Sequence, residues 1–139
     1  VDTKRIISYY IGTDGLELYA PYTDGVMRLK RLVRCENSVT DKLGNLPISC
    51  YGNGFYDGDV DVAIVPMLAF NGKLFRLGYG GGYYDRFLAL NRTTSVGVAF
   101  DEQETEAIEP EKHDIATDYL ITPTRILRRT DERRIQKTK

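Results

Sequence analysis

The chain has 139 residues, 42% of them hydrophobic, and sets 19 basic against 20 acidic side chains for a formal net charge of −1. That is the size and apolar content of one packed domain. The near-neutral balance argues against a partner recognised through bulk charge, such as nucleic acid or an anionic membrane surface, and no apolar run approaches the roughly 20 residues of a membrane span.

No secretory leader pattern is visible, so a cytoplasmic monomer is the expectation, with Cys35 and Cys50 reduced. Two cysteines and the single His113 lack the spacing of a zinc site.

Apolar positions 6, 7, 10 and 11 recur at helical spacing and predict a helix over residues 3–11, capped by Asp2 or Thr3. Residues 16–21 alternate and predict a strand ended by Pro21. Met27, Leu29 and Val33 alternate with Arg28, Lys30 and Arg34, the pattern of an edge strand with solvated cations. Residues 37–59 carry glycines, Pro47 and no period, and predict a long loop with at most a short strand. The apolar run at 61–66, within a buried stretch from Val60 to Phe70, reads as a central parallel strand. Residues 94–100 predict a second such strand and residues 119–122 a shorter third. A helix over 83–91 completes a β-α-β unit between the first two. From Arg125 onward the chain is rich in Arg and Lys (Arg128, Arg129, Arg133, Arg134, Lys137, Lys139) and reads as a solvated end, with a phosphate-binding arm as the alternative. The organisation expected is a single α/β domain over 1–124 followed by a basic tail over 125–139.

The densest signal is Arg76-Leu77-Gly78-Tyr79-Gly80-Gly81-Gly82-Tyr83-Tyr84-Asp85-Arg86. Glycine accepts backbone angles that other residues refuse and lets a ligand approach the main chain. Successive N–H groups ahead of a helix form a concave anion site. Arg76 adds a fixed cation, and Asp85 in the first helical turn is a candidate magnesium ligand. The string is neither the P-loop nor the dinucleotide fingerprint, since it lacks a Gly-Lys-Ser/Thr ending and an acidic residue closing the next strand. Each residue also has a purely structural reading. The glycines make a tight turn, Arg76 and Arg86 pair with carboxylates, and one of Tyr83 and Tyr84 packs in the core. Asp85 is favoured by the helix dipole, and Asp114 sits in a turn.

Taken together, Val65-Pro66-Met67-Leu68-Ala69-Phe70, the segment Arg76 to Arg86 and the pair His113-Asp114 resemble the signature of the 5-formyltetrahydrofolate cyclo-ligases, also called methenyltetrahydrofolate synthetases. The resemblance covers residues 60–123 well and 1–59 loosely. It implies a three-layer α/β/α domain with a mostly parallel central sheet, of the ribose-phosphate isomerase-like kind. It also implies ATP- and Mg2+-dependent conversion of 5-formyltetrahydrofolate to 5,10-methenyltetrahydrofolate. Carried over by position, it implies that Arg76, Leu77, Gly78, Tyr79, Gly80, Gly81, Gly82, Tyr83 and Tyr84 bind ATP. Within that loop, Tyr79, Gly80, Gly81, Gly82 and Tyr83 also touch the folate, and Asp85 and Asp114 hold Mg2+. No separate catalytic side chain is implied, because phosphoryl transfer and ring closure need positioned phosphates and cations; His113 is not required as a base.

The family places a Lys- and Arg-bearing helix, and a glutamate, ahead of a Val-Asp-Thr stretch. This sequence opens at Val1-Asp2-Thr3, so the resemblance implies an N-terminally incomplete domain. Asn71 stands where many members have Asp, some members have Lys at the position of Gly81, and residues 45–48 replace a more regular turn. Two functions follow from the resemblance: the cyclo-ligase itself, or a non-catalytic folate- or nucleotide-binding remnant of it. An unrelated sugar-phosphate-binding domain is a third reading.

Overall fold

The computed structural model describes residues 1–33, 46–78 and 80–130. They fall into two compact units, residues 2–58 and residues 59 onward.

In the first unit, helix α1 (Lys4–Tyr10) begins where Asp2 Oδ1 accepts the Lys4 N–H at 3.0 Å. Asp2, rather than Thr3, therefore satisfies a terminal donor. An antiparallel hairpin follows, β1 (Tyr19–Asp24) and β2 (Val26–Arg31), turned at Gly25 with φ 73°. The first strand lies three residues later than expected, and Pro21 is inside it, opposite Leu29. Proline is tolerated in an edge strand because its missing N–H need not serve the ladder. Along β2, Met27 and Leu29 are half-buried and Arg28 exposed, as the alternation predicts, but Lys30 is half-buried, its ammonium over the Tyr22 and Phe55 rings, and Val33 is exposed. The expected loop at 46–58 is laid against this hairpin: a short 3-10 turn (Ile48–Cys50) is followed by bridges from Tyr51 to Leu32 and from Tyr56 to Leu29. Ala20, Leu32, Cys50 and Tyr51 form the core of this unit, with Ile7, Ile11 and Leu18 packed against it. Cys35, Arg34 and Asn45 lie outside the described residues, and with them the expectation for Cys35.

The second unit runs β3 (Val62–Val65), β4 (Ala69–Phe70), β5 (Arg76–Leu77), helix α2 (Tyr83–Leu90), β6 (Thr94–Val98), β7 (Tyr119–Ile121) and β8 (Ile126–Arg128). Its main sheet has the order β3-β6-β7-β8. The β3–β6 and β6–β7 pairings are parallel and β7–β8 is antiparallel, so this is a mixed α/β sheet with parallel pairs in the majority. Strand β6, not β3, is interior. Val62 and Ile64 of β3 are 55% and 39% exposed; an apolar run does not by itself distinguish the centre of a sheet from its edge. The expected tail also starts too early at 125. Ile126–Arg128 pairs with β7, Arg129 Nη2 donates to Asp118 Oδ1 at 3.2 Å, and Arg125 pairs with Asp101 and Glu104. Counting arginines had hidden a strand with Leu127 facing the core. Arg133, Arg134, Lys137 and Lys139 lie outside the described residues.

The core of this unit is Met67, Phe70, Leu74, Ala99, Ala116 and Leu120, with Phe75 and Leu127 packed on it. Leu88 of α2 is also fully buried.

Candidate functional site

The sequence predicts a strand running directly into the glycine loop. Instead a small antiparallel hairpin, β4–β5, intervenes between β3 and α2. Asn71 closes its turn: its Oδ1 accepts the N–H groups of Lys73 (3.0 Å) and Phe75 (3.1 Å), and its carbonyl accepts that of Leu74 (2.9 Å). This is the side-chain turn chemistry that Asn and Asp share. Leu74 has φ 66°, the left-handed region that a branched residue rarely enters. Its buried side chain, and its carbonyl bonded to the Thr117 N–H at 3.1 Å, hold it there. Gln103 anchors the approach to the hairpin. Its amide donates to the carbonyls of Met67 and Leu68, each at 3.0 Å, and its oxygen accepts the Phe100 N–H at 2.7 Å.

The loop springs from β5. Gly80 and Gly82 have φ 98° and 65°, so the backbone twice takes the left-handed conformation that glycine alone adopts freely. Gly82 caps α2, accepting the Arg86 N–H on its carbonyl at 3.1 Å. A Cβ at Gly81 would come within 2.4 Å of the Tyr83 ring, whereas a Cβ at Gly80 would meet open space. Leu77, Gly78, Gly80, Gly81 and Gly82 are exposed, and Tyr83 and Tyr84 half-buried. Tyr79 lies outside the described residues. Arg86 rests its guanidinium 5.1 Å from the centre of the Tyr83 ring, a cation–π contact rather than the carboxylate pair of its structural reading.

Arg76 and Asp85 are joined. Arg76 Nη2 donates to Asp85 Oδ1 at 3.0 Å, Arg76 Nη1 donates to the Ile115 carbonyl at 2.9 Å, and the Ile115 N–H donates to the same Asp85 oxygen at 3.1 Å. The segment carrying Asp114 is thereby held at the first turn of α2. Asp114 Oδ2 accepts the Glu111 N–H at 2.8 Å, and its Oδ1 lies 4.0 Å from His113 Nε2. His113 is exposed and 3.3 Å from Glu111.

Asp85 and Asp114 are partly exposed carboxylates, hard oxygen donors on segments that the Ile115 bonds tie together. Their side chains are 21% and 26% exposed, and the contacts of the Asp85 carboxylate with Arg76 and Ile115 are both made by Oδ1. Among the described residues no group of three or more His, Cys, Asp or Glu converges. That excludes an all-protein cage there but suits magnesium, which takes one or two carboxylates and completes its shell with water and phosphate oxygens.

Beyond the loop, Asp101 Oδ1 accepts from Thr122 Oγ1 (2.6 Å), Thr124 Oγ1 (2.8 Å) and Arg125 Nε (3.3 Å). The hydroxyl bonds, Thr122 first, hold its carboxyl below the ordinary aspartate value. Neither Asp101 nor Gln103 belongs to a sequence motif; only the fold brings their partners to them.

The glycine-bent loop runs from the β4–β5 hairpin onto the N-terminus of α2, beside a mixed α/β sheet, a construction that suits an anion. The profile of the 5-formyltetrahydrofolate cyclo-ligase family matches residues 52–123, and the chain belongs to that family. It is 32% identical over 102 residues to a 5-formyltetrahydrofolate cyclo-ligase of Mycoplasma genitalium, covering 66% of this chain and 62% of that one. A mitochondrial 5-formyltetrahydrofolate cyclo-ligase of Arabidopsis thaliana is 28% identical, over 91% of this chain and 56% of its own. The solved structure of a 5,10-methenyltetrahydrofolate synthetase from Aquifex aeolicus superposes with a TM-score of 0.74 at 28% identity, covering 98% of this chain and 69% of that one. The chain thus spans less than two thirds of the length of both curated relatives. Among the described residues no helix is long and apolar enough to cross a membrane.

Proposed function

We propose that this protein carries out, as a cytoplasmic monomer, the ATP- and Mg2+-dependent conversion of 5-formyltetrahydrofolate to 5,10-methenyltetrahydrofolate. The observation that carries the reading is the pair of left-handed glycines, Gly80 and Gly82, opening an exposed backbone directly onto the N-terminus of α2 within the family-matched segment. In this reading residues 77–84 bind ATP on a loop rooted at Arg76, residues 79–83 also touch the folate, and Asp85 and Asp114 hold the cation.

The chemistry asked of the chain is positioning and charge stabilisation. The formyl oxygen attacks the γ-phosphorus and ADP leaves. The other folate nitrogen then attacks the activated carbon and gives up its proton, and the formyl oxygen departs with phosphate, which can take that proton. Gly78, Gly80, Gly81 and Gly82 present backbone N–H donors to the phosphates, and the α2 dipole adds to them. Mg2+, when bound, offsets the charge on the phosphates. Tyr83 and Tyr84 at the loop edge shield the reacting groups from water.

The test is the absorbance of methenyltetrahydrofolate with purified protein, with and without ATP and Mg2+. ATP-dependent product formation supports the reading. Binding of folate or nucleotide without turnover would replace it with the non-catalytic alternative.

A further inference from the structure

We propose that Arg76 is a positioning residue that fixes Asp85 and the Asp114–Ile115 segment, and is not itself a ligand of phosphate; the proposal rests on the cyclo-ligase reading above. A phosphate ligand must present its N–H groups to the cleft. The Arg76 side chain is only 4% exposed, and each terminal nitrogen gives a hydrogen to a protein atom, Nη1 to the Ile115 carbonyl and Nη2 to Asp85 Oδ1. The Ile115 N–H closes the ring on that same oxygen. Three bonds thus tie together three chain segments: β5 at the root of the glycine loop, the first turn of α2, and the segment that carries Asp114.

The arrangement has a direction. Asp85 Oδ1 takes two donors from within the protein, which fixes the carboxylate rotamer and leaves Oδ2 as the oxygen for the cation. Asp114 precedes the residue whose amide and carbonyl are both held, so its backbone is set by the same knot. A planar guanidinium can serve the carboxylate and the carbonyl together because its donors are fixed in a fork; a lysine ammonium is a point charge on a flexible stem. This separates the two roles experimentally. Lysine would preserve much of a simple charge contact to phosphate and would not rebuild the fork.

The variants are Arg76→Lys and Arg76→Gln, each first checked for native near-ultraviolet circular dichroism. Amide exchange at Ile115 is read by NMR in the free protein, with buried Leu120 as internal reference. Affinity for ATP is measured in EDTA, and affinity for Mn2+ at fixed ATP. Both Arg76 variants should speed Ile115 exchange by about tenfold or more while leaving Leu120 unchanged. They should leave metal-free ATP affinity within about twofold and weaken Mn2+ by about tenfold or more, the usual size of outer-shell effects on metal affinity. Two results would overturn the proposal: Arg76→Lys keeping Ile115 protected, or Arg76→Gln weakening metal-free ATP about tenfold with Arg76→Lys restoring it. If the unmodified protein binds no ATP, the functional reading fails, while Ile115 exchange still decides whether Arg76 is the clasp.

Discussion

The strongest stability prediction concerns Asp118, a buried carboxylate that joins three strands of the second unit. Its Oδ2 accepts the Ser95 N–H at 2.8 Å and the Ser95 hydroxyl at 3.2 Å, and its Oδ1 accepts Arg129 Nη2 at 3.2 Å. Asp118→Ala leaves the Ser95 amide without this acceptor, a loss of about 1–3 kcal/mol. It also leaves the Arg129 guanidinium without its carboxylate, and breaking a buried pair costs about 3–5 kcal/mol. The two side chains retain 10% and 14% exposure, so water reaches part of the site and the lower end applies; the combined expectation is about 3–4 kcal/mol. For a chain of this length that is a fall of about 10–15 °C in Tm. Urea unfolding followed by circular dichroism measures it, with Arg129→Met and the double variant completing a cycle. Because much of the cost is the stranded cation, the double variant should be more stable than Asp118→Ala by about 1 kcal/mol or more. A loss under about 1 kcal/mol in Asp118→Ala, or a double variant less stable than the single one, would refute the reasoning.

Three further outcomes follow from the same geometry. Asp101 has a folded pKa depressed chiefly by Thr122 and Thr124. Its contribution is present above the unfolded value and lost as pH falls through the folded one, so urea midpoints should drop below about pH 4, and Asp101→Asn should flatten that part of the profile. Gly80→Val should place a β-branched residue at φ 98° on the exposed loop, abolishing nucleotide binding in calorimetry while circular dichroism stays native; retained affinity would count against the phosphate cradle. Leu120→Ala removes a fully buried core side chain and should cost about 2–5 kcal/mol in the same urea assay.

Local features were legible in the sequence wherever local rules decide. Helix α2 matches its expected start at Tyr83 because Gly82 caps it in the left-handed conformation and Asp85 lies in its first turn. Strand β6 follows from Thr94, Val96 and Val98, strand β7 from the short apolar run Tyr119-Leu120-Ile121, and the positive φ at Gly80 and Gly82 from glycine's freedom. Features that depend on distant partners were not legible. The β4–β5 hairpin is closed by Asn71 and stabilised by a left-handed Leu74 whose carbonyl is held by Thr117, 43 residues away. Strand β8 looked like a charged tail because Arg125 and Arg129 find Asp101 and Asp118 only in the folded sheet. The exposed edge of β3 was missed for a similar reason: the apolar run reports burial potential, whereas strand order is settled by pairing.

The candidate site depends on this division between local and distant determinants. A loop with four glycines in residues 78–82 has little side-chain bulk to hold it in one shape, and glycine loses the most backbone entropy on ordering. Its geometry must therefore be imposed at its ends. At one end Arg76 is clamped to Asp85 and Ile115; at the other Gly82 is fixed as the cap of α2, and that helix is anchored by buried Leu88. The hairpin that delivers Arg76 is held in turn by Asn71 and by the Thr105 N–H on the Phe70 carbonyl at 2.8 Å. The glycines supply a backbone able to approach an anion, and residues outside the loop confine that backbone to a usable shape. Loosening the Arg76 clamp should consequently weaken metal binding without altering any atom that touches the metal.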